Sequence, residues 1–179
     1  MIKFRDLTAN EIDVRIGQIS KSGNGISLLL YKDARCDMAI LDETVGAENW
    51  QRDHYECKGN LFCRVGINTN LNAEDSFERW VFKSDCGTES NTEKEKGEAS
   101  DSFKRACVNW GIGRELYTSP FIWINPMDDK GQENYKLKDG KCNNRFVVEK
   151  IVIADKRITA LAIRNATLNK RVFVWQESK

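Results

Sequence analysis

Three consecutive segments with strand-like alternation, followed by an amphipathic helix, constrain the fold of this 179-residue chain more than any other feature. Residues 50–57 and 61–68 flank the turn-forming sequence Lys58-Gly59-Asn60, and residues 77–86 follow after a polar stretch. Apolar and polar side chains alternate in these segments with the period of two that marks half-buried strands. Residues 93–110 instead place their apolar side chains on one helical stripe. The pattern predicts an antiparallel meander followed by a long helix.

Shorter patterns outside this block predict further elements. A helix at 7–16 is indicated by Thr8 and Glu11, which have the spacing of a capping box. A second helix, at 34–45, would be capped by Asp33 and ended by Gly46. Further strands are predicted at 26–31, 120–124, 146–153, 157–163 and 171–175, and a polar surface loop is predicted at 125–144.

Together these elements predict an α+β fold, with an antiparallel β-meander packed on a long helix and extra strands at the C-terminus. We expect the C-terminal strands to extend or flank the meander sheet. The length suits one domain, so residues 1–179 are predicted to form a single domain. Its core would lie at 26–124, with a C-terminal β extension at 146–176.

Composition narrows the classes of function. The chain has 28 basic and 27 acidic residues, so a nucleic-acid site would need its cations sorted onto one surface or concentrated by assembly. None of the six cysteines stands in a Cys-x-x-Cys pair and His54 is the only histidine, so no metal site is predicted.

Targeting and cofactor signals are also missing from the sequence. Met1 leads directly into charged sequence, which favours reduced thiols in a cytoplasm over a secreted protein. No apolar run approaches the ~20 residues of a membrane span. There is no Gly-rich phosphate loop of the Walker type, so no nucleotide cofactor is predicted.

One segment carries a family resemblance. The sequence Ala99-Ser-Asp-Ser-Phe-Lys-Arg-Ala-Cys-Val-Asn-Trp-Gly-Ile-Gly113 resembles the signature helix of Rad52-type single-strand DNA annealing proteins and their phage and prophage relatives. A second similarity lies at 40–50, where a helix end is followed by Gly46 and by Trp50 at the start of the first meander strand. Gly87, after the third strand, is a weaker match. The resemblance covers residues 31–117.

The resemblance implies a function without catalysis. Such proteins form rings that hold single-stranded DNA by its backbone, with the bases exposed for pairing, and they need no nucleotide cofactor. It implies ATP-independent annealing in homologous recombination or double-strand break repair, in the cytoplasm of a bacterial host. The implied partners are single-stranded DNA, further copies of the chain and a host or phage single-strand binding protein.

The resemblance also suggests DNA-contacting residues. The lysine of the signature helix is Lys104, with Arg105 beside it. A second basic position of the family aligns with Cys36, which departs from the pattern, although Arg35 is adjacent. A third basic position of the family aligns with Val108. The complete predicted DNA-binding set is Lys104, Arg105, Arg35, Lys32, Arg64 and Lys83.

From the residues alone, these cations could also be solvated surface charges. Asp101 could pair with Lys104 at i,i+3 or with Arg105 at i,i+4, but it cannot neutralise both. Arg64 and Lys83 lie on adjacent strands and could share a face. Phe62 could stack a base or belong to the core.

Two other classes of function stay open. Clustered carboxylates are what a metal-dependent nuclease needs, and acidic residues are dense at Asp33, Asp37, Asp42 and Glu43. Asp37 and Asp42, however, point to different sides of the predicted helix. A small non-catalytic phage interaction module is the other alternative.

Overall fold

The computed structural model describes residues 2–70, 79–88 and 94–178. Their contacts define two compact units. The first, here the meander unit, comprises Met1–Asp6 and Asp33–Arg114. The second, here the large-sheet unit, comprises Leu7–Lys32 and Glu115–Lys179. No helix in the described residues is long and apolar enough to cross a membrane.

In chain order the strands are β1 (Asp13–Ile19), β2 (Ile26–Tyr31), β3 (Trp50–Cys57), β4 (Asn60–Asn68), β5 (Trp80–Cys86), β6 (Ile122–Ile124), β7 (Leu137–Lys138), β8 (Lys141–Cys142), β9 (Phe146–Ala154), β10 (Arg157–Asn165) and β11 (Lys170–Gln176). The α-helices are α1 (Ala34–Val45) and α2 (Lys94–Trp110). Short 3₁₀ turns lie at Ala9–Glu11, Ala47–Asn49 and Arg114–Thr118.

In the meander unit, β3, β4 and β5 form an antiparallel sheet with β4 in the centre. The face of β4 with Cys63, Val65 and Ile67 is fully buried, as is Phe103 on α2. The Trp110 indole nitrogen donates a 3.1 Å hydrogen bond to the Val65 carbonyl, so α2 packs across this face. The hydrophobic effect therefore acts between the stripe of α2 and the apolar side of the sheet.

Helix α1 forms where the capping signals predicted it. The Asp33 carboxylate accepts a 2.7 Å hydrogen bond from the Arg35 backbone nitrogen, and Gly46 ends the helix with a φ of 86°. Ile40 and Leu41 are fully buried. The Trp50 indole then donates a 2.6 Å hydrogen bond to Asp42, which ties the start of β3 to α1.

In the large-sheet unit, six antiparallel strands run in the order β11-β10-β9-β1-β2-β6. The first and last strands in this order, β11 and β6, approach each other, with Cα atoms within 8 Å. The sheet therefore curls towards closure. The buried side chains of this unit are mainly branched aliphatic residues: Ile26, Leu28, Ile122, Ile124, Ile158, Leu161 and Ile163.

The prediction of a mixed fold with antiparallel sheets is confirmed, but the helix at 7–16 is wrong. The Glu11 carboxylate does accept a 2.8 Å hydrogen bond from the Thr8 nitrogen, yet it closes only a 3₁₀ turn. Residues 13–19 then form β1, which pairs with β2 on one side and β9 on the other. Strand pairing, mainly with β2 in a hairpin and also with the distant β9, has overridden the local helix signal.

Two other expectations fail in part. The C-terminal strands do not extend the meander sheet, because β9 pairs with β1 through Asp13 and Val147. The predicted loop at 125–144 contains the β7–β8 hairpin, whose turn residues Asp139 and Gly140 have φ angles of 52° and 72°. Asp-Gly is a strong signal for such a turn.

Some expectations are not tested. The first two residues of the predicted strand at 77–86 and the start of the helix at Glu93 lie outside the described residues. A single domain with a core at 26–124 and an extension at 146–176 stays a prediction.

Candidate nucleic-acid interface

Lys104 lies on α2 next to the fully buried Phe103, and its own side chain is half-buried. In the part of the chain that the structure describes, its ammonium group makes no hydrogen bond or ion pair. Asp101 instead accepts hydrogen bonds from the Thr88 nitrogen and hydroxyl, at 3.1 and 3.3 Å. The carboxylate that could neutralise Lys104 is therefore used to fix the chain after β5.

Arg105 has a different environment. Its Nε lies 3.3 Å from Oδ1 of Asp85 on β5, and Asn109 donates to the other oxygen of that carboxylate. The Arg105 side chain is 42% exposed, so solvent screens the pair and it contributes about 0–1 kcal/mol. The contact nevertheless directs the guanidinium towards β5.

Arg64 and Lys83 lie on opposite faces of the meander sheet, which excludes the possibility that they share a face. The register places Lys83 opposite the buried Val65 and Arg64 opposite Ser84. Lys83 donates a 2.8 Å hydrogen bond to the Asn109 carbonyl, and its Nζ lies 4.5 Å from the Trp110 ring centroid. It thus stabilises the carbonyl end of α2.

Arg64 is held by a carboxylate on the neighbouring strand. Its Nε and Nη2 donate to the two oxygens of Asp53 at 3.1 and 2.8 Å. These hydrogen bonds lower the pKa of the Asp53 carboxyl and raise the pKa of Arg64. The guanidinium also lies 5.0 Å from the ring centroid of Phe82.

The last two predicted contacts differ in exposure. Arg35 is exposed at the start of α1, and its side chain has no partner among the described residues. Lys32, in the large-sheet unit, is only 4% exposed. A phosphate contact at Lys32 would require this side chain to become more exposed, and its place in the DNA-binding set stays a prediction.

Aromatic side chains on the meander sheet were only partly anticipated. Phe62 faces away from α2 and stacks on Tyr55, with the ring centroids 5.5 Å apart. Phe82 lies on the same face, diagonally opposite Arg64. The period-two pattern already separated Phe62 from the apolar face with Val65 and placed Phe82 opposite Lys83 on its own strand, which was the available signal.

The carboxylates considered for a nuclease each have a structural role. Asp33 caps α1, Asp42 accepts from Trp50, and Glu43 forms a 2.8 Å ion pair with Arg5. Asp37 is fully buried. Across residues 2–70, 79–88 and 94–178, no cluster of three or more His, Cys, Asp or Glu side chains is placed to hold a metal ion.

Comparison with known proteins identifies the family. The model of the family described as "Rad52/22 family double-strand break repair protein" matches residues 5–135, which is more than half of the chain. No curated protein and no solved structure matches the chain. The matched range includes α1, the meander sheet and α2. The chain therefore belongs to the Rad52/22 family of double-strand break repair proteins.

Proposed function

We propose that the chain binds single-stranded DNA through its phosphate backbone and anneals complementary strands without ATP, in recombination or double-strand break repair. The observation that carries this proposal is the environment of Lys104. It lies on the helix that resembles the family signature, and its ammonium group has no counter-ion in the described part of the chain. Asp101, its candidate partner at i,i+3 on the same helix, accepts hydrogen bonds from Thr88.

Phosphate contact by Lys104, supported by the exposed Arg35, gives the expected properties of an annealing protein. Contacts to the backbone carry no sequence information, so binding tolerates any sequence. Bases that are not gripped by this site stay available for a complementary strand. Because Arg105, Arg64 and Lys83 have intramolecular partners, we propose at most supporting roles for them.

Assembly would strengthen such a weakly charged site. The chain has a net charge of +1, so one copy attracts DNA only locally. We propose a ring or filament of copies in which Lys104 recurs along one track, with α2 and the meander sheet as the functional core of each copy. A phage or bacterial-host setting and a single-strand binding protein as partner are proposed from the resemblance of the segment 99–113.

An annealing assay tests the function. Two complementary oligonucleotides, one labelled, are mixed with the protein without nucleotide, once with EDTA and once with Mg²⁺. We expect annealing above the spontaneous rate in both cases. Degradation in Mg²⁺ would instead indicate a nuclease, and neither binding nor annealing would favour the interaction module. Lys104→Ala should slow annealing, whereas Lys130→Ala, which removes an exposed lysine away from α2, should not.

A further inference from the structure

The face of the β3–β4–β5 sheet that points away from α2 carries aromatic side chains. Tyr55 lies directly opposite Phe62, and Phe82 lies directly opposite Gly66. Tyr55 is 40% exposed and Phe82 is 45% exposed. The solvent face of an antiparallel sheet normally alternates to polar side chains, so exposed rings at these positions call for an explanation. We refer to Tyr55, Phe62, Arg64 and Phe82 as the aromatic face.

The rings of the aromatic face are held in defined positions. A Cβ atom added to Gly66 would lie 2.4 Å from the Phe82 ring, so this ring lies directly across the backbone of β4. The guanidinium of Arg64 sits over the same ring and is fixed by its two hydrogen bonds to Asp53. Tyr55 and Phe62 form a second stacked pair, with 20° between their planes. The platform is thus ordered before any ligand binds.

The composition of this face indicates which ligand it suits. In the described strands, its other outward-facing side chains include no Leu, Ile, Val or Met. Trp80 stacks on Phe82 with the ring centroids 6.4 Å apart, and the rest are small or polar: Gln51, Cys57, Asn60, Asn68, Ser84 and Cys86. The cores of protein interfaces mix aromatic with aliphatic side chains in close packing. Among the described residues of β3, β4 and β5, Asp53 and Arg64 are the only charged side chains on this face. They form an ion pair and neutralise each other.

A nearly neutral, flat and aromatic surface complements uncharged planar rings rather than phosphates. Nucleobases are such rings, and their stacking on aromatic side chains is tolerant of sequence because every base has a π face. A guanidinium adds a cation–π contribution to the same platform. We propose that the aromatic face stacks unpaired bases of single-stranded DNA, an inference that rests on the proposed DNA-binding function.

This base contact is distinct from the backbone contact at Lys104. Because α2 covers the opposite side of the sheet, DNA on the aromatic face is held through its bases at a different surface of the meander unit. The two contacts therefore differ in what they require of the DNA: the backbone contact needs only phosphates, and the aromatic face needs bases.

Fluorescence anisotropy with two labelled oligonucleotides of equal length separates these requirements. One is an ordinary single strand, and in the other every base is replaced by an abasic site. The parent protein should bind the ordinary strand at least about fivefold more tightly, which is the effect of one lost base–ring stack. Phe82→Leu keeps apolar bulk without a ring, so it should weaken binding of the ordinary strand and leave the abasic strand unchanged. Lys104→Ala should weaken both equally.

The outcomes distinguish the two proposals. If the parent binds both oligonucleotides equally, the stacking inference is wrong, while an effect of Lys104→Ala on both still supports the backbone site. If neither strand binds, the proposed function itself fails. If Phe82→Leu changes neither affinity but lowers the assembled mass measured by light scattering, the aromatic face is a contact between copies and stacking is overturned. Urea unfolding of Phe82→Leu confirms that the comparison is between folded proteins.

Discussion

Gly87→Ala should destabilise the meander unit strongly, because the residue after β5 sits directly against α2. A Cβ atom there would lie 2.2 Å from the Glu98 carbonyl oxygen and 2.8 Å from the Ser102 nitrogen, both backbone atoms of the helix. Overpacking of this kind costs about 1–3 kcal/mol. If the chain after β5 and α2 move apart by about 1 Å, the 3.0 Å hydrogen bond from the Leu61 nitrogen to the Glu98 carboxylate also weakens. Its loss costs about 1 kcal/mol.

We therefore expect Gly87→Ala to lower the free energy of unfolding by about 3 kcal/mol, measured by urea titration with tryptophan fluorescence. The matched control is Gly59→Ala in the β3–β4 turn, where an added Cβ meets nothing within 4 Å. There the φ of 76° alone costs about 1–2 kcal/mol. A Gly87→Ala protein as stable as the parent, or more stable than Gly59→Ala, would refute the close approach of β5 and α2.

Two further predictions concern the charged side chains of Lys83 and Glu149. Lys83→Met removes the hydrogen bond to Asn109 and the Trp110 contact, so it should lower the free energy of unfolding by about 1–2 kcal/mol in a urea titration. It should weaken binding of single-stranded DNA much less than Lys104→Ala does. Hydrogen bonds from Arg171 and Arg164 lower the pKa of Glu149 from 4.5 to about 2. The stability that the Glu149 carboxylate contributes is therefore complete above its ordinary pKa and is lost as the pH falls towards 2. In thermal melts, the melting temperature of Glu149→Gln should therefore fall less on acidification than that of the parent.

The sequence alone predicted those elements whose hydrophobic pattern is long and depends only on neighbouring residues. The stripe on α2, the alternation in β4 and the Asp33 and Gly46 caps of α1 each record the burial of one face or the end of one helix. β1 was misread because its strand conformation depends on partners outside its own residues: β2, which follows it in a hairpin, and β9, which lies far away in the chain. The extent of a sheet depends on such partners and not on the strand's own pattern.

The candidate site was harder to predict because the availability of a cation depends on its tertiary partners. Asp85 on β5 takes Arg105, and the end of α2 takes Lys83. Asp101 bonds to Thr88 instead of to its helical neighbours. No spacing rule within one element specifies these choices. The aromatic face, in contrast, was implicit in the alternation that separated Phe62 from the apolar side of β4.

The salt dependence of DNA binding tests the central proposal most directly. Affinity for a labelled single strand is measured over a range of salt concentrations for the parent, Lys104→Ala and the control Lys130→Ala, after urea unfolding has shown all three to be folded. If Lys104 neutralises one phosphate, Lys104→Ala should weaken binding to all sequences alike and reduce the slope of log K against log salt by about 0.7. Lys130→Ala should match the parent. A Lys104→Ala protein with the parent's affinity and slope would contradict the proposed backbone contact on α2.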